Sequence, residues 1–277
     1  MHGRLGATLV GMTEQRRCPF CGSTGPFTKE DAWPRWLNQA LTAPTGPGTA
    51  HDITLDGNKV VRVLKRTATG YNTARVPGIC AACNNGWMSR LEQAAAPLLL
   101  PMINGETVTL DRRQQAVVTA WVTKTGLVFD QRAKDRDPFV SPEVTCAFGA
   151  DPTIVSGSRV VLARYGERDW HHNHSVGAVS AEYRNGRVKT VVAIVTLCVR
   201  ELVMQLVCPT DFEEEAGLLV RDDGEFAVQI EPVVAGIVRW PPRVSLDSAQ
   251  WFEFGLSSGS GVDVGNMLDQ FKPPARD

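Results

Sequence analysis

Long hydrophobic runs are missing from this chain. The longest late apolar stretch, Val188 to Val199, is interrupted by Lys189, Thr190 and Thr196 and falls short of the about 18–20 residues that a membrane span needs, so no membrane crossing is expected. A surplus of either charge is missing too: 29 Lys and Arg stand against 30 Asp and Glu. That excludes a uniformly basic coat for nucleic acid but leaves room for a local basic face, because a sum hides where charges lie. Histidine is scarce, with five residues, which restricts the choice of a base that works near neutral pH. No phosphate-loop, dinucleotide or serine-nucleophile motif occurs, and no internal repeat. Residues 1–12 hold one basic residue, Arg4, and a thin apolar run without a small-x-small cleavage signature; they read as a ragged terminus, with Met12 as an alternative start and the cytoplasm as the expected compartment.

What is present is a core-forming composition. The chain has 277 residues, 43% hydrophobic and 21% charged, enough for one large or two modest domains that need no disulfide staples. Seven cysteines form an odd set in which four fall into two Cys-x-x-Cys pairs, Cys18/Cys21 and Cys80/Cys83, with 58 residues between them. Each such pair makes a tight turn that presents two thiolates to one ion, and Gly22 lets backbone N–H groups turn toward the sulfurs, so structural Zn²⁺ is the reading. The alternatives are two unrelated buried pairs or a redox pair, although a redox motif needs only one. The gap exceeds the about 15–20 residues of common ribbons, so a sizeable insert lies between the knuckles. Cys146, Cys198 and Cys208 sit among apolar residues and read as inert core.

The insert is organised. Pro34 suits a first helical turn, and Trp33, Trp36, Leu37, Ala40 and Leu41 form a helical apolar stripe. Residues 43–50, with Pro44, Gly46, Pro47 and Gly48, read as a loop. Ile53 to Val63 reads as a hairpin around Asp56-Gly57, and a second extended segment leads to Cys80. After Cys83, Asn84 to Leu100 reads as a helix.

Two segments resemble a family. Lys29-Glu30-Asp31-Ala32-Trp33-Pro34-Arg35-Trp36-Leu37 and Cys83-Asn84-Asn85-Gly86-Trp87-Met88-Ser89-Arg90-Leu91-Glu92 look like the zinc-knuckle HNH endonucleases of bacteria and phage, with a ββα-metal core. The likeness continues weakly through Ala120-Trp121-Val122-Thr123-Lys124-Thr125 and Arg239-Trp240-Pro241-Pro242. The resemblance implies a metal-dependent phosphodiesterase acting on DNA, with Glu30 in the acid slot at a Mg²⁺ or Mn²⁺ ion and Asn84 at the helix start. In such nucleases a histidine activates the water. Asp31 stands in that slot here, and Trp87 stands where many relatives of the wider superfamily place a metal-binding His or Asn. With an ordinary pKa near about 3.9, an aspartate is a weak base for water. Glu30 and Asp31 could both ligate the ion, or simply form the acidic start of the Pro34 helix. His51, near the hairpin, is the candidate for a displaced base. His171, His172 and His174 read as a His-rich loop, in which residues 172 and 174 would share a face if extended.

Charge divides along the chain. Residues 1–100 carry 11 Lys and Arg against 6 Asp and Glu, a net of +5, and the remainder carries 18 against 24, a net of −6. Four thiolates with one Zn²⁺ leave the first part at about +3. Lys59, Arg62, Lys65, Arg66 and Arg75 are the candidate phosphate contacts. Beyond residue 105, Asp111 to Gln114 has capping-box spacing ahead of a helical stripe through Val117, Ala120, Trp121 and Val128. Residues 143–166 contain strand-like runs. Val176 to Tyr183 and Arg187 to Val199 form a hairpin across Asn185-Gly186, and Phe226 to Glu231 and Ile237 to Trp240 add short strands. The expected organisation is α+β: residues 13–105 a zinc-stapled HNH-like module, 106–270 a sheet-containing α+β domain, and 271–277 a tail. Three functions compete: a DNA-cutting enzyme, a nucleic-acid-binding module that does not cut, and an interaction protein whose acidic second domain meets a protein partner.

Overall fold

A computed structural model describes residues 16–41, 48–56, 59–68, 75–132, 136–167, 172–182, 188–211, 225–231, 236–248, 250–251 and 254. The expectations for residues 1–12, Gly57, His171, Asn185-Gly186 and 271–277 lie outside these residues, as do the side chains of His51, Lys59, Arg62, Lys65, Arg66 and His172.

The first cysteine pair closes a turn in which the Cys18 carbonyl accepts from Gly22 N–H at 2.8 Å and from Cys21 N–H at 3.4 Å. Gly22 takes φ +69°, a conformation that costs glycine little and other residues more. The chain then enters β1 (Phe27–Asp31), which pairs antiparallel with β4 (Arg75–Cys80). Between these partners lie α1 (Arg35–Ala40), entered from Pro34 as expected, and a hairpin of β2 (Gly48–Asp56) and β3 (Lys59–Ala68). The strand thus begins inside the segment expected to be loop: residues 48–50 pair with 66–68. Cys80 ends β4 and feeds α2 (Ala81–Cys83), a π-helical turn (Asn84–Met88) and α3 (Ser89–Ile103). The single helix expected from Asn84 is therefore interrupted: Gly86, at φ −92° and ψ −110°, leaves helical geometry.

The capping box at Asp111 is formed. Its carboxylate accepts from Gln114 N–H at 2.8 Å, and Gln114 Oε1 accepts from Asp111 N–H at 2.9 Å. It follows β5 (Val108–Leu110) and starts α4 (Arg112–Asp130). From Val118 to Asp130 every residue of α4 is buried, the pattern of a helix enclosed on all sides. It lies between α3 and an antiparallel five-stranded sheet. One expectation fails before the sheet begins: residues 142–150 are a helix, α5 (Pro142–Ala150), because Ser141 caps the Val144 N–H at 3.3 Å and Pro142 occupies the first turn. These N-terminal signals outweigh the β-branched content that suggested strands.

The sheet runs β10-β6-β9-β8-β7, from β6 (Arg159–Arg164), β7 (His172–Glu182), β8 (Val188–Val199), β9 (Leu202–Pro209) and β10 (Ala227–Glu231). His172 and His174 therefore belong to a strand and not to a loop. β11 (Val238–Trp240) returns to pair with β5. A continuous apolar core joins Phe20, Trp33 and Ile79 of the cysteine-bearing stretch to Trp121, Phe148 and Leu206. Cys198 and Cys208 are buried in apolar clusters as expected, whereas Cys146 is only half-buried. No helix among the described residues is long and apolar enough to cross a membrane.

Candidate functional site

The strand pairing Phe27↔Cys80 brings the two cysteine pairs together across 58 residues of sequence. The Sγ atoms of Cys18, Cys21, Cys80 and Cys83 all lie within 4.8 Å of one another, and Cys21 and Cys80 are 3.5 Å apart. Tetrahedral Zn–S bonds of about 2.3 Å place sulfurs about 3.8 Å apart, so the cluster is able to hold a metal ion such as zinc. Backbone donors already face it: Cys80 N–H to Cys18 Sγ and Cys83 N–H to Cys80 Sγ, each 3.4 Å. Burial pushes the thiols of Cys18 and Cys83 above their ordinary range. Burial acts the same way on Cys80, but the Cys83 N–H and the surrounding thiols bring its pKa below the ordinary value. A bound cation would supply the countercharge that burial denies the thiolates, and the donor set fits one.

Beside this cluster, the end of β1 and the start of the α2–α3 segment enclose a cleft of about 430 Å³ lined by Lys29, Glu30, Asp31, Arg35, Asn84 and Glu92. The structure thus brings the three expected site residues, Glu30, Asp31 and Asn84, onto one surface. Asn84 donates its amide to Thr28 Oγ1 at 2.8 Å, and Thr28 in turn donates to the Ile79 carbonyl at 3.0 Å. This ties the helix start to β1 and β4. Asp31 faces two guanidinium groups, Arg75 at 3.2 Å and Arg35 at 3.4 Å. These arginine side chains are 56% and 84% exposed, so the pairs sit on the solvent side of the cleft. Of the five expected phosphate contacts, Arg75 is placed against Asp31, a residue of the cleft; Lys59, Arg62, Lys65 and Arg66 have backbone positions on β3.

Glu30 points inward. Its Oε1 is 3.6 Å from Lys124 Nζ, and that ammonium, 1% exposed on α4, lies 2.6 Å from Glu92 Oε1. Burial pushes the Glu30 carboxyl above the usual carboxylate range; Lys124 pulls it back, while Glu92 and Asp31 push it further up. Glu92 and Lys124 were not among the expected site residues. Their signal was present in the sequence, since both stand in segments that carry the family resemblance and Lys124 interrupts an apolar helix.

The Mg²⁺ or Mn²⁺ that the resemblance implies finds no group of three or more acidic, histidine or cysteine ligands at the cleft among the described residues. Among the described residues only the four thiols converge as a metal-binding group, and the cleft carboxylates are turned to the protein's own cations. Among the described residues no histidine lines the cleft. His174, away from it, bonds Arg132 at 3.1 Å and lies against the Phe129 ring, with centroids 4.5 Å apart.

No family model, curated protein or solved structure matches this chain.

Proposed function

We propose that this chain is a nucleic-acid-binding protein built on a zinc-stapled, HNH-like ββα module, with the cleft beside the thiol cluster as its phosphate contact. The observation that carries the reading is the gathering of Glu30, Asp31 and Asn84 on one cleft next to the four cysteines, as the family resemblance implies. Zinc has a structural role: it joins the first turn, β4 and α2, which fixes the cleft walls. Lys29, Arg35 and Arg75 meet the phosphate backbone, DNA being the expected polymer, and the β2–β3 hairpin extends that basic face through Lys59, Arg62, Lys65 and Arg66. Charge supports this division, because the basic balance lies in the first 100 residues.

A second reading, phosphodiester cleavage, is favoured by one observation: the arginines that hold Asp31 are largely exposed. A phosphate that draws Arg35 and Arg75 away frees the Asp31 carboxylate. That carboxylate then accepts one proton of an attacking water as the new P–O bond forms; the leaving sugar oxygen departs with the electron pair of the broken P–O bond and takes a proton from solvent. An aspartate makes this slow beside a histidine.

The test is one panel on the zinc-loaded protein. Fluorescence anisotropy with duplex DNA at rising salt reads binding, and plasmid with Mg²⁺ or Mn²⁺ reads cutting for wild type, Glu30→Ala and Asp31→His. Salt-dependent retention without cutting upholds the proposal. Cutting that Glu30→Ala abolishes establishes the second reading. Absence of retention at low salt overturns both and leaves a protein partner for the acidic second part. An inert wild type revived by Asp31→His marks a nuclease site that has lost its base.

A further inference from the structure

Two of the carboxylates that line the cleft, Glu30 and Glu92, meet a buried cation that belongs to the protein. Lys124 is contributed by α4, outside the stretch that carries the cysteines, and its ammonium lies between Glu92 at 2.6 Å and Glu30 at 3.6 Å. The Glu92 contact is a short charge-assisted hydrogen bond, whereas Glu30 stands at the longer distance of an ion pair. At 1% exposure the ammonium is shielded from bulk solvent by the protein. Carboxylates gathered at one cleft are the donors that hard divalent cations favour, yet here each faces a side-chain cation: Glu30 and Glu92 face Lys124, and Asp31 faces Arg35 and Arg75.

We infer that Lys124 is a positioning residue that serves as the cleft's built-in counter-ion, taking between Glu30 and Glu92 the place that a divalent cation would otherwise fill. The inference rests on reading this cleft as the nucleic-acid site, and it adds that binding there needs no Mg²⁺ or Mn²⁺. Removing the ammonium leaves two facing carboxylates in a partly buried site with no compensating charge. Such a pair is a Mn²⁺ site in the making, which separates this role from mere packing: weaker packing loosens the fold but creates no metal site.

The experiment is a Mn²⁺ titration of the full-length, zinc-loaded protein, with free Mn²⁺ read by electron paramagnetic resonance. Wild type and Lys124→Arg are expected to leave the Mn²⁺ signal as in buffer. Lys124→Met, of similar length and without charge, takes up one Mn²⁺ per chain, and Lys124→Met/Glu92→Gln loses it again. Uptake by wild type that Glu92→Gln abolishes overturns the inference, as does a folded Lys124→Met that leaves Mn²⁺ free. If Lys124→Met does not fold, Lys124→Gln takes its place: one Mn²⁺ per folded chain that Glu92→Gln removes upholds the inference, and a folded Lys124→Gln that leaves Mn²⁺ free overturns it. DNA retention is read on the same wild-type sample. Failure to retain DNA removes the nucleic-acid reading but not Lys124 as counter-ion, and Mn²⁺ uptake does the reverse.

Discussion

Lys124 and Glu92 meet at 2.6 Å across the contact between α4 and α3, and this pair fastens the helix that follows the thiol cluster to the central helix of the fold. The lysine comes from a helix packed on the sheet, and the glutamate from the wall of the cleft. A buried ammonium is tolerated only where carboxylates surround it.

Breaking such a pair from one side costs more than removing both partners. Lys124→Met is expected to lower stability by about 3–5 kcal/mol, since it strands buried carboxylate charge. Lys124→Met/Glu92→Leu recovers a large part of that loss. Urea unfolding of the two single variants and the double variant gives the coupling directly.

The thiol cluster is expected to hold one zinc per chain by elemental analysis. Cys80→Ser removes it, because Cys80 both ligates and bridges β4 to α2. Circular dichroism of the stripped protein is expected to show partial loss of structure. A metal-free chain that remains fully folded counts against a structural metal.

Gly149 on α5 packs against the first cysteine turn so closely that a Cβ there would land on the Phe20 carbonyl. Gly149→Ala must push that turn aside, at a cost of about 1–3 kcal/mol. A chelator that changes colour on binding zinc should therefore strip the variant faster than wild type. Gly177→Ala is the control, because a Cβ at that position meets open space.

Arg35 and Arg75 are expected to act on DNA affinity through charge. Every phosphate that a side-chain cation no longer neutralises flattens the slope of log affinity against log salt by about 0.9. Arg35→Gln and Arg75→Gln should therefore flatten the slope singly, and further when combined, in anisotropy titrations between low and moderate salt.

Alkaline stability carries the signature of a buried thiol. Burial first, and the Asp130 carboxylate second, push Cys208 up to about 12 from 9.0. The folded state keeps a proton that the unfolded chain releases. The associated stability is present in full below about pH 9 and is lost as pH rises toward 12, by up to about 1.4 kcal/mol per unit. Cys208→Val removes this component. Urea midpoints at about pH 8 and about pH 10 should fall less for the variant than for wild type.

Features whose physics is local were legible in the chain alone. A Cys-x-x-Cys turn with glycine behind it, a capping box at Asp111, and Pro34 opening a helix are each specified within about five residues, and each takes the expected form. The antiparallel pairing of β7 with β8 was legible for the same reason, since an Asn-Gly turn signal between two apolar runs marks a hairpin. Local signals can also compete, and at residues 142–150 the Ser141 cap and Pro142 prevailed over strand-like side chains. How the cleft is charged, by contrast, was settled by tertiary packing. The pairing of β1 with β4 set Asp31 beside Arg75, and the packing of α4 against α3 delivered Lys124 to Glu30 and Glu92. Neither arrangement is written in spacing, because residues 32 and 44 positions apart meet only once the core they flank has formed. That the acidic pair lacks a histidine was visible in the sequence, but the place of Lys124 against Glu30 was decided in three dimensions.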